Sequence, residues 1–255
     1  MALLSLQDIN CIPKSLRSCL KLKPKIIHCH DTLVLPIGIL LSIIYSCKII
    51  YDAHELESNK FGQSKSLSLI TLWIEKLCWN RINHLITVST SIGNWYNENL
   101  GYKETTVVLN SPKNRPNNLI PSRTLRQTYN LNKNDKIFVY VGAFEKGRSI
   151  ELIIEAFNKL KRNDYYLIFM GFGTLHKYIH EFASKSDKII IHPPVSSNEV
   201  YAVLSKSTAG FCLIENISLS DYYSLPNKLF EYLSANIQVI GSEMPCILIL
   251  FMFLC

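Results

Sequence analysis

Short β-branched apolar runs alternate with longer amphipathic stretches through most of the chain. This is the rhythm of strands and crossover helices in parallel sheets. In the first half, Lys25–Cys29, Lys48–Asp52, His84–Val88 and Thr105–Leu109 predict buried strands, with helices over Leu33–Ser46, Ser66–Arg81 and Ser91–Leu100. The pattern breaks at NSPKNRPNNLIPSRT, Asn110–Thr124, where Pro and Asn replace apolar periodicity and predict a linker. It resumes with strands at Lys136–Val141, Tyr165–Met170, Lys188–Ile191, Ala209–Leu213 and Gln238–Ile240. Helices are expected at Ser149–Leu160, Thr174–Ser184, Ser197–Ser205 and Pro226–Ala235. Ser196 with Glu199 three residues later is a capping box that marks one of those helix starts. The fold class expected is α/β, with Rossmann-like domains over 1–110 and 135–255 and a linker over 111–134. Such sheets bind ligands beyond the carboxyl ends of their strands.

Composition narrows the class. Of 255 residues, 48% are hydrophobic and 18% charged, enough to build cores and too apolar for a disordered chain. A net charge of +7 suits phosphate-bearing ligands or an anionic membrane surface. The eight cysteines form no C-x-x-C pair, which argues for a reducing, cytoplasmic setting and against a zinc or disulfide framework. The uncharged stretch Thr32–Cys47 is sixteen residues long and contains Pro36 and Gly38, so a buried helix is expected rather than a membrane span of about 20 residues. The run Lys14–Lys25 carries five Lys or Arg and no acid. It reads either as a solvated helix face or as a dock for anionic lipid headgroups at the inner face of a membrane.

The most informative segment is SLPNKLFEYLSA, Ser224–Ala235. Pro226 suits the first position of a helix, and Ser224 and Asn227 are residue types that satisfy free N–H groups there. A helix N-terminus attracts anions, and Lys228 adds a full charge. Asn227, Lys228 and Glu231 can share one face, leaving Leu229, Phe230 and Leu233 for a core. Upstream, YVGAFEKGRS (Tyr140–Ser149) is a strand running into a glycine turn. Gly142 and Gly147 allow close backbone approach, and Lys146 and Arg148 stand at the turn.

Other polar positions are weaker. Asp52, His54 and Glu55 lie just past a strand, at its ligand-binding end. His28 and His30 are two apart and point to one side of a strand; a metal site would need a third ligand that the sequence does not assign, so core or cleft lining is expected. His176 and His180 have helical spacing and read as surface residues. No Asp-x-Asp occurs, which disfavours a divalent-ion grip on a diphosphate. Gly171-x-Gly173 lacks the third glycine of a dinucleotide fingerprint, so an oxidoreductase reading is weak.

SLPNKLFEYLSA followed by IQVIGSEMP resembles the donor site of retaining nucleotide-sugar glycosyltransferases of the GT-B fold, similar to family 4 members that build bacterial surface polysaccharides. The resemblance covers about Lys25 to Pro245 and implies two Rossmann-like domains facing across a cleft, both truncated relative to the family. It implies that Arg148 and Lys228 meet the donor diphosphate, that Glu231 holds the ribose, and that His54 sits near the reacting sugar. It also implies base contacts at Val195 in the loop IHPPV. The family's first motif glutamate is replaced by Tyr223, which leaves sugar contacts to the backbone around Leu225, Pro226 and Asn227. The function implied is transfer of a sugar from a nucleoside diphosphate sugar to a glycan or lipid-linked acceptor, with retention, no metal cofactor and no nucleic-acid partner. A truncated remnant that binds nucleotide without turnover is the alternative.

Overall fold

The computed structural model describes residues 2–4, 23–111 and 123–254. The basic run up to residue 22 and residues 112–122 of the linker lie outside the described residues. The chain divides into two compact units, one of residues 1–109, 217–225 and 244–255, the other of 110–216 and 226–243.

Unit 1 holds the parallel sheet β1 (Ala2–Leu4), β2 (Ile26–His30), β3 (Lys48–Ala53), β4 (His84–Thr87) and β5 (Thr105–Val107), paired in that order. Its helices include α1 (Leu35–Tyr45), α2 (Lys65–Trp79) and α3 (Thr90–Leu100). Ser64 and Ser89 cap α2 and α3 by accepting from the N–H groups of Leu67 and Ile92, both at 3.3 Å. Ile27, Cys29, Ile49, Tyr51 and Leu85 pack with Leu35, Leu41, Trp79 and Tyr96 in one core. Helix α1 departs from the expected buried helix. Leu35 and Leu41 are buried, while Leu40, Ile43 and Ile44 are each more than half exposed. A helix in the outer layer of a sheet buries only the face toward its neighbours, so an apolar sequence on all sides leaves the other face exposed.

Unit 2 holds β6 (Lys136–Ala143), β7 (Tyr165–Phe172), β8 (Ile189–His192), β9 (Ala209–Cys212) and β10 (Gln238–Gly241). All pairs are parallel, in the order β10-β9-β6-β7-β8. Its helices are α4 (Leu125–Thr128), α5 (Ile150–Lys159), α6 (His176–Ala183), α7 (Ser197–Leu204) and α9 (Asn227–Ser234); the short α8 (Leu219–Tyr222) belongs to unit 1. The Ser196–Glu199 capping box forms at the start of α7. Strand order runs outward from β6 through β8 and then jumps back to β9, so the sheet's switch point lies between β6 and β9. Crevices at such points are where open parallel sheets take ligands.

The units differ from the sequence boundaries in two ways. The second half of the expected linker is a capped turn, α4, whose Arg126 donates to the carbonyl of Asp135 at 2.9 Å. Residues 217–225 and 244–255 join unit 1 because their polar atoms find partners there. The Leu56 N–H reaches Ser220 Oγ at 3.3 Å, and the Tyr223 carbonyl accepts from Ser89 Oγ at 3.0 Å and Cys246 Sγ at 3.2 Å. The last segment forms α10 (Pro245–Leu254). Among the described residues no helix is long and apolar enough to cross a membrane.

Tyr232 of α9 positions the donor segment. Its hydroxyl accepts from the Val141 N–H at 2.9 Å and donates to the Phe211 carbonyl at 3.3 Å. It thereby bridges β6 and β9 beyond the last registered pair, Val139 with Gly210. A Cβ on Gly210 would stand 2.6 Å from the Tyr232 ring, so glycine is what lets α9 seat. Gly210→Ala is expected to cost about 1–3 kcal/mol by overpacking and to displace α9. Hydrogen exchange over β6, β9 and α9 checks this: unchanged protection there would show that the ring has room to move.

Candidate functional site

The carboxyl ends of β6 and β9 splay around the lysine of α9. The Lys228 stem reaches solvent, but its ammonium is enclosed, 3.7 Å above the Tyr140 ring. Gly142 keeps the opposite wall low. A Cβ there would meet Lys228 Cε at 3.6 Å, and the φ of 123° favours glycine besides. Among the described residues Lys228 Nζ has no hydrogen-bond partner. Burial pushes its pKa down to about 7, with Arg148 pressing the same way and Cys212 and Glu231 opposing. Burial likewise drives the Cys212 thiol up to about 11, against the pull of Lys228 and Arg148. Arg148 and Lys228 therefore act on the same small volume. Two cations beside one another, one enclosed and without a hydrogen-bond partner, form a site that favours a multiply charged anion.

The basic turn between β6 and α5 is held from two sides. Ser149, at a φ of 53°, donates its N–H to Glu215 Oε1 at 3.0 Å, and the Glu215 N–H returns to the Gly147 carbonyl at 3.0 Å. Glu145 accepts from the Thr174 N–H at 3.0 Å and from its hydroxyl. Lys146 is exposed. The Gly171-x-Gly173 pair serves this packing. A Cβ on Gly171 would lie 1.9 Å from the Gly142 carbonyl oxygen, so these glycines admit backbone and are not a dinucleotide fingerprint.

Helix α9 begins one residue later than expected. Pro226 is extended, with φ −76° and ψ 141°, and stands before the first turn. Ser224 does not cap the helix; its hydroxyl donates to the Asp221 carbonyl at 2.8 Å, and among the described residues no side chain caps α9. The free N–H groups at this end stay available to a ligand. Leu229 and Tyr232 are the buried face; Phe230 and Leu233 are half-buried. Glu231 is half-buried on the same helix, its carboxyl pushed up by burial and pulled back by Lys228. Val195 is half-buried just past β8, and Asn227 is exposed. Leu225 belongs to unit 1, where its side chain lines a cavity of about 190 Å³ with Ser89, Val107 and Cys246.

In unit 1 the ends of β2 and β3 bring three imidazoles onto one carboxylate. Asp52 Oδ2 lies 3.0 Å from His28 Nε2 and 3.3 Å from His30 Nδ1, and Asp52 Oδ1 lies 3.0 Å from His54 Nδ1. The hydrogen bond that His54 donates to Asp52 raises the His54 pKa, whereas burial lowers that of His30. For Asp52, burial works to raise the pKa but is outweighed by the His54 hydrogen bond and the neighbouring imidazoles, and the carboxyl is lowered. His54 is half exposed and so can meet a ligand. Glu55 is exposed; the carboxyl that tucks in is Glu57, paired to Lys60 at 2.7 Å and pushed by burial up to about 7. His176 and His180 are both exposed, as expected.

Sequence reasoning missed Tyr140, Cys212 and Glu215 in unit 2. The signal available was only position, at or just past strand ends, and which strands adjoin is invisible in one sequence. It also missed Asp52 as the partner of His28 and His30.

Comparison with known proteins adds the lineage. Residues 121–248 match the family model described as Glycosyl transferases group 1, and residues 3–111 match that of Glycosyltransferase Family 4. No curated protein matches the chain. Among solved structures, HepE from Anabaena in complex with UDP aligns with a TM-score of 0.66 at 12% identity, over 94% of this chain and 65% of that one. Sucrose-phosphate synthase from Thermosynechococcus elongatus aligns at 0.68 and 16% identity, over 92% and 61%. A glycosyltransferase from Rickettsia africae aligns at 0.62 and 14% identity, over 95% and 65%. The chain thus spans less than two thirds of these relatives' length. At such identities the likeness establishes the fold, which is GT-B.

Proposed function

The chain belongs to the group 1 glycosyl transferases, and from that premise we propose that it transfers a sugar from a nucleoside diphosphate sugar, with retention, to a glycan or lipid-linked acceptor. The observation that carries this reading is the enclosed ammonium of Lys228 at the β6–β9 switch point, beside Arg148 and an uncapped helix start. A pyrophosphate supplies what this site lacks, a compact anion with many acceptor oxygens. HepE and its complex with UDP-glucose support the choice of donor class by likeness of fold.

In the reaction the anomeric C–O bond to the β-phosphate breaks, and its electron pair leaves on the phosphate. Arg148 and Lys228 stabilise that growing charge, the type of help that usually contributes most to such catalysis. The acceptor hydroxyl bonds to the anomeric carbon from the same face, and its proton passes to the departing phosphate oxygen. Glu231 holds the ribose, Val195 meets the base, and the backbone at Leu225, Pro226 and Asn227 meets the sugar. His54 sits near the reacting sugar, with its ring held by Asp52. No metal takes part in this scheme.

Titration calorimetry with UDP and GDP tests the donor site: binding of neither defeats it. Because the chain spans 65% of HepE, donor hydrolysis is assayed separately; binding without turnover would leave nucleotide binding alone as its activity.

The enclosed lysine makes binding proton-linked. With its free pKa near 7, Lys228 is largely neutral above that pH, and a bound pyrophosphate restores the ammonium. UDP affinity is expected to fall as pH rises from 7 to 9, by up to about tenfold per unit. Calorimetry in buffers of different ionisation enthalpy should show proton uptake at pH 8. Pure proton release would contradict it.

A further inference from the structure

We propose that His28, His30 and Asp52 form a binding site for one divalent transition-metal ion of the zinc class, built into the sheet of unit 1. The sequence lacked a third ligand; the fold supplies it. His28 and His30 project from the same side of β2, and the β2–β3 register sets His30 directly beside Asp52. Among the described residues their donor atoms lie within 4.8 Å of one another. The separations of 3.0 and 3.3 Å from Asp52 Oδ2 to the two imidazole nitrogens are already those of neighbouring ligands. Two ligands on one tetrahedral zinc, each about 2.0–2.1 Å from it, stand roughly 3.3 Å apart. An ion would replace the hydrogens now held between Asp52 and the two rings, with the stacked His28 and His30 rings, 26° apart, turning toward it.

Four further observations favour a metal over a hydrogen-bonded cluster alone. The ligands sit on two hydrogen-bonded strands, so their positions are set by backbone before any ion arrives. His30 Nδ1 faces His54 Nε2 at 3.2 Å as well as Asp52, so one ring hydrogen at most is divided between two acceptors. His54 meanwhile holds the other oxygen of Asp52 at 3.0 Å, the outer support that orients a ligating carboxylate. The side chains of His28 and His30 are 15% and 21% exposed, which leaves an entry path. Two imidazoles and one carboxylate suit zinc, nickel or cobalt and not calcium or magnesium. Three protein ligands leave a fourth position for water or an anion. The inference does not rest on the transferase reading.

The test uses the full chain, stripped with a chelator and titrated with Zn²⁺ alone against a chromophoric competitor. One equivalent should bind saturably, with Ca²⁺ and Mg²⁺ unable to compete. His30→Ala and Asp52→Asn should weaken uptake at least about 100-fold, and His54→Ala about tenfold. The double variant His176→Ala/His180→Ala should bind like wild type. Wild-type protein loaded with Co²⁺ provides a readout that needs no variant: intense visible bands of a four-coordinate ion, without near-ultraviolet thiolate charge transfer. No saturable uptake, a thiolate band, or loss of binding in the His176/His180 variant in place of His30→Ala would overturn the proposal.

Discussion

Lys228→Met is expected to weaken UDP binding about 10–100-fold while making the β6–β9 region more stable. Both effects come from one atom. A charge-assisted hydrogen bond contributes roughly 1.5–3 kcal/mol, and each 1.4 kcal/mol is tenfold in affinity. The ligand-free protein, however, holds an enclosed ammonium without a hydrogen-bond partner among the described residues, which costs stability. Its folded pKa lies near 7, below the ordinary lysine value, so between those values the unfolded chain binds more protons than the folded one. Stability therefore rises with pH above about 7 in the wild type, and methionine removes both the cost and the slope. Arg148→Ala should lose affinity to a similar extent with no gain in stability. Turnover, if present, should fall about 10²–10³-fold in either variant. Calorimetry reads the affinity, and hydrogen exchange in peptides covering β6 and β9 reads the stability. A Lys228→Met protein that binds UDP normally would remove the donor site as drawn.

The largest effect on folding is expected from Glu75→Ala in α2. This carboxyl is wholly buried in unit 1, where Oε1 accepts from Thr32 Oγ1 at 3.0 Å, Tyr51 Oη at 2.8 Å and Tyr96 Oη at 2.7 Å. Removing it takes the shared acceptor from three hydroxyls, leaving Thr32 and Tyr51 their mutual bond at 2.9 Å, and opens a cavity, a loss of about 3–5 kcal/mol. Glu75→Gln keeps an acceptor and should lose less. Burial raises the Glu75 pKa, so its contribution is full below the unfolded value and declines as pH rises through the folded one. The gap between wild type and Glu75→Gln should therefore narrow as pH rises above the ordinary glutamate range. Trp73, Trp79 and Trp95 are the three tryptophans of the chain, and all lie in unit 1, with Trp79 and Trp95 packed on the Tyr96 ring. Tryptophan emission during urea unfolding thus reports this unit by itself. A midpoint unmoved by Glu75→Ala would show that the three hydroxyls find other partners.

The sequence by itself determined the α/β class, nearly every strand and the capped helix at Ser196, and it singled out the glycine turn and the lysine-bearing helix start. Those features are local: strand burial writes apolar runs, caps need particular residues at fixed offsets, and a helix start with a lysine is read over five positions. Only the tertiary structure decided that Lys228 lies between Tyr140, Gly142 and Cys212, that Glu215 fixes the basic turn, and that Asp52 joins His28 and His30. Those placements depend on which parallel strands adjoin, here β9 beside β6 and β3 beside β2. In a parallel sheet neighbours are joined through long crossovers, so no spacing along the chain encodes them. The boundary of unit 1 was hidden for the same reason. Residues 217–225 and 244–255 return to it through single hydrogen bonds to Leu56, Ser89 and Ser91, partners more than a hundred residues away in sequence.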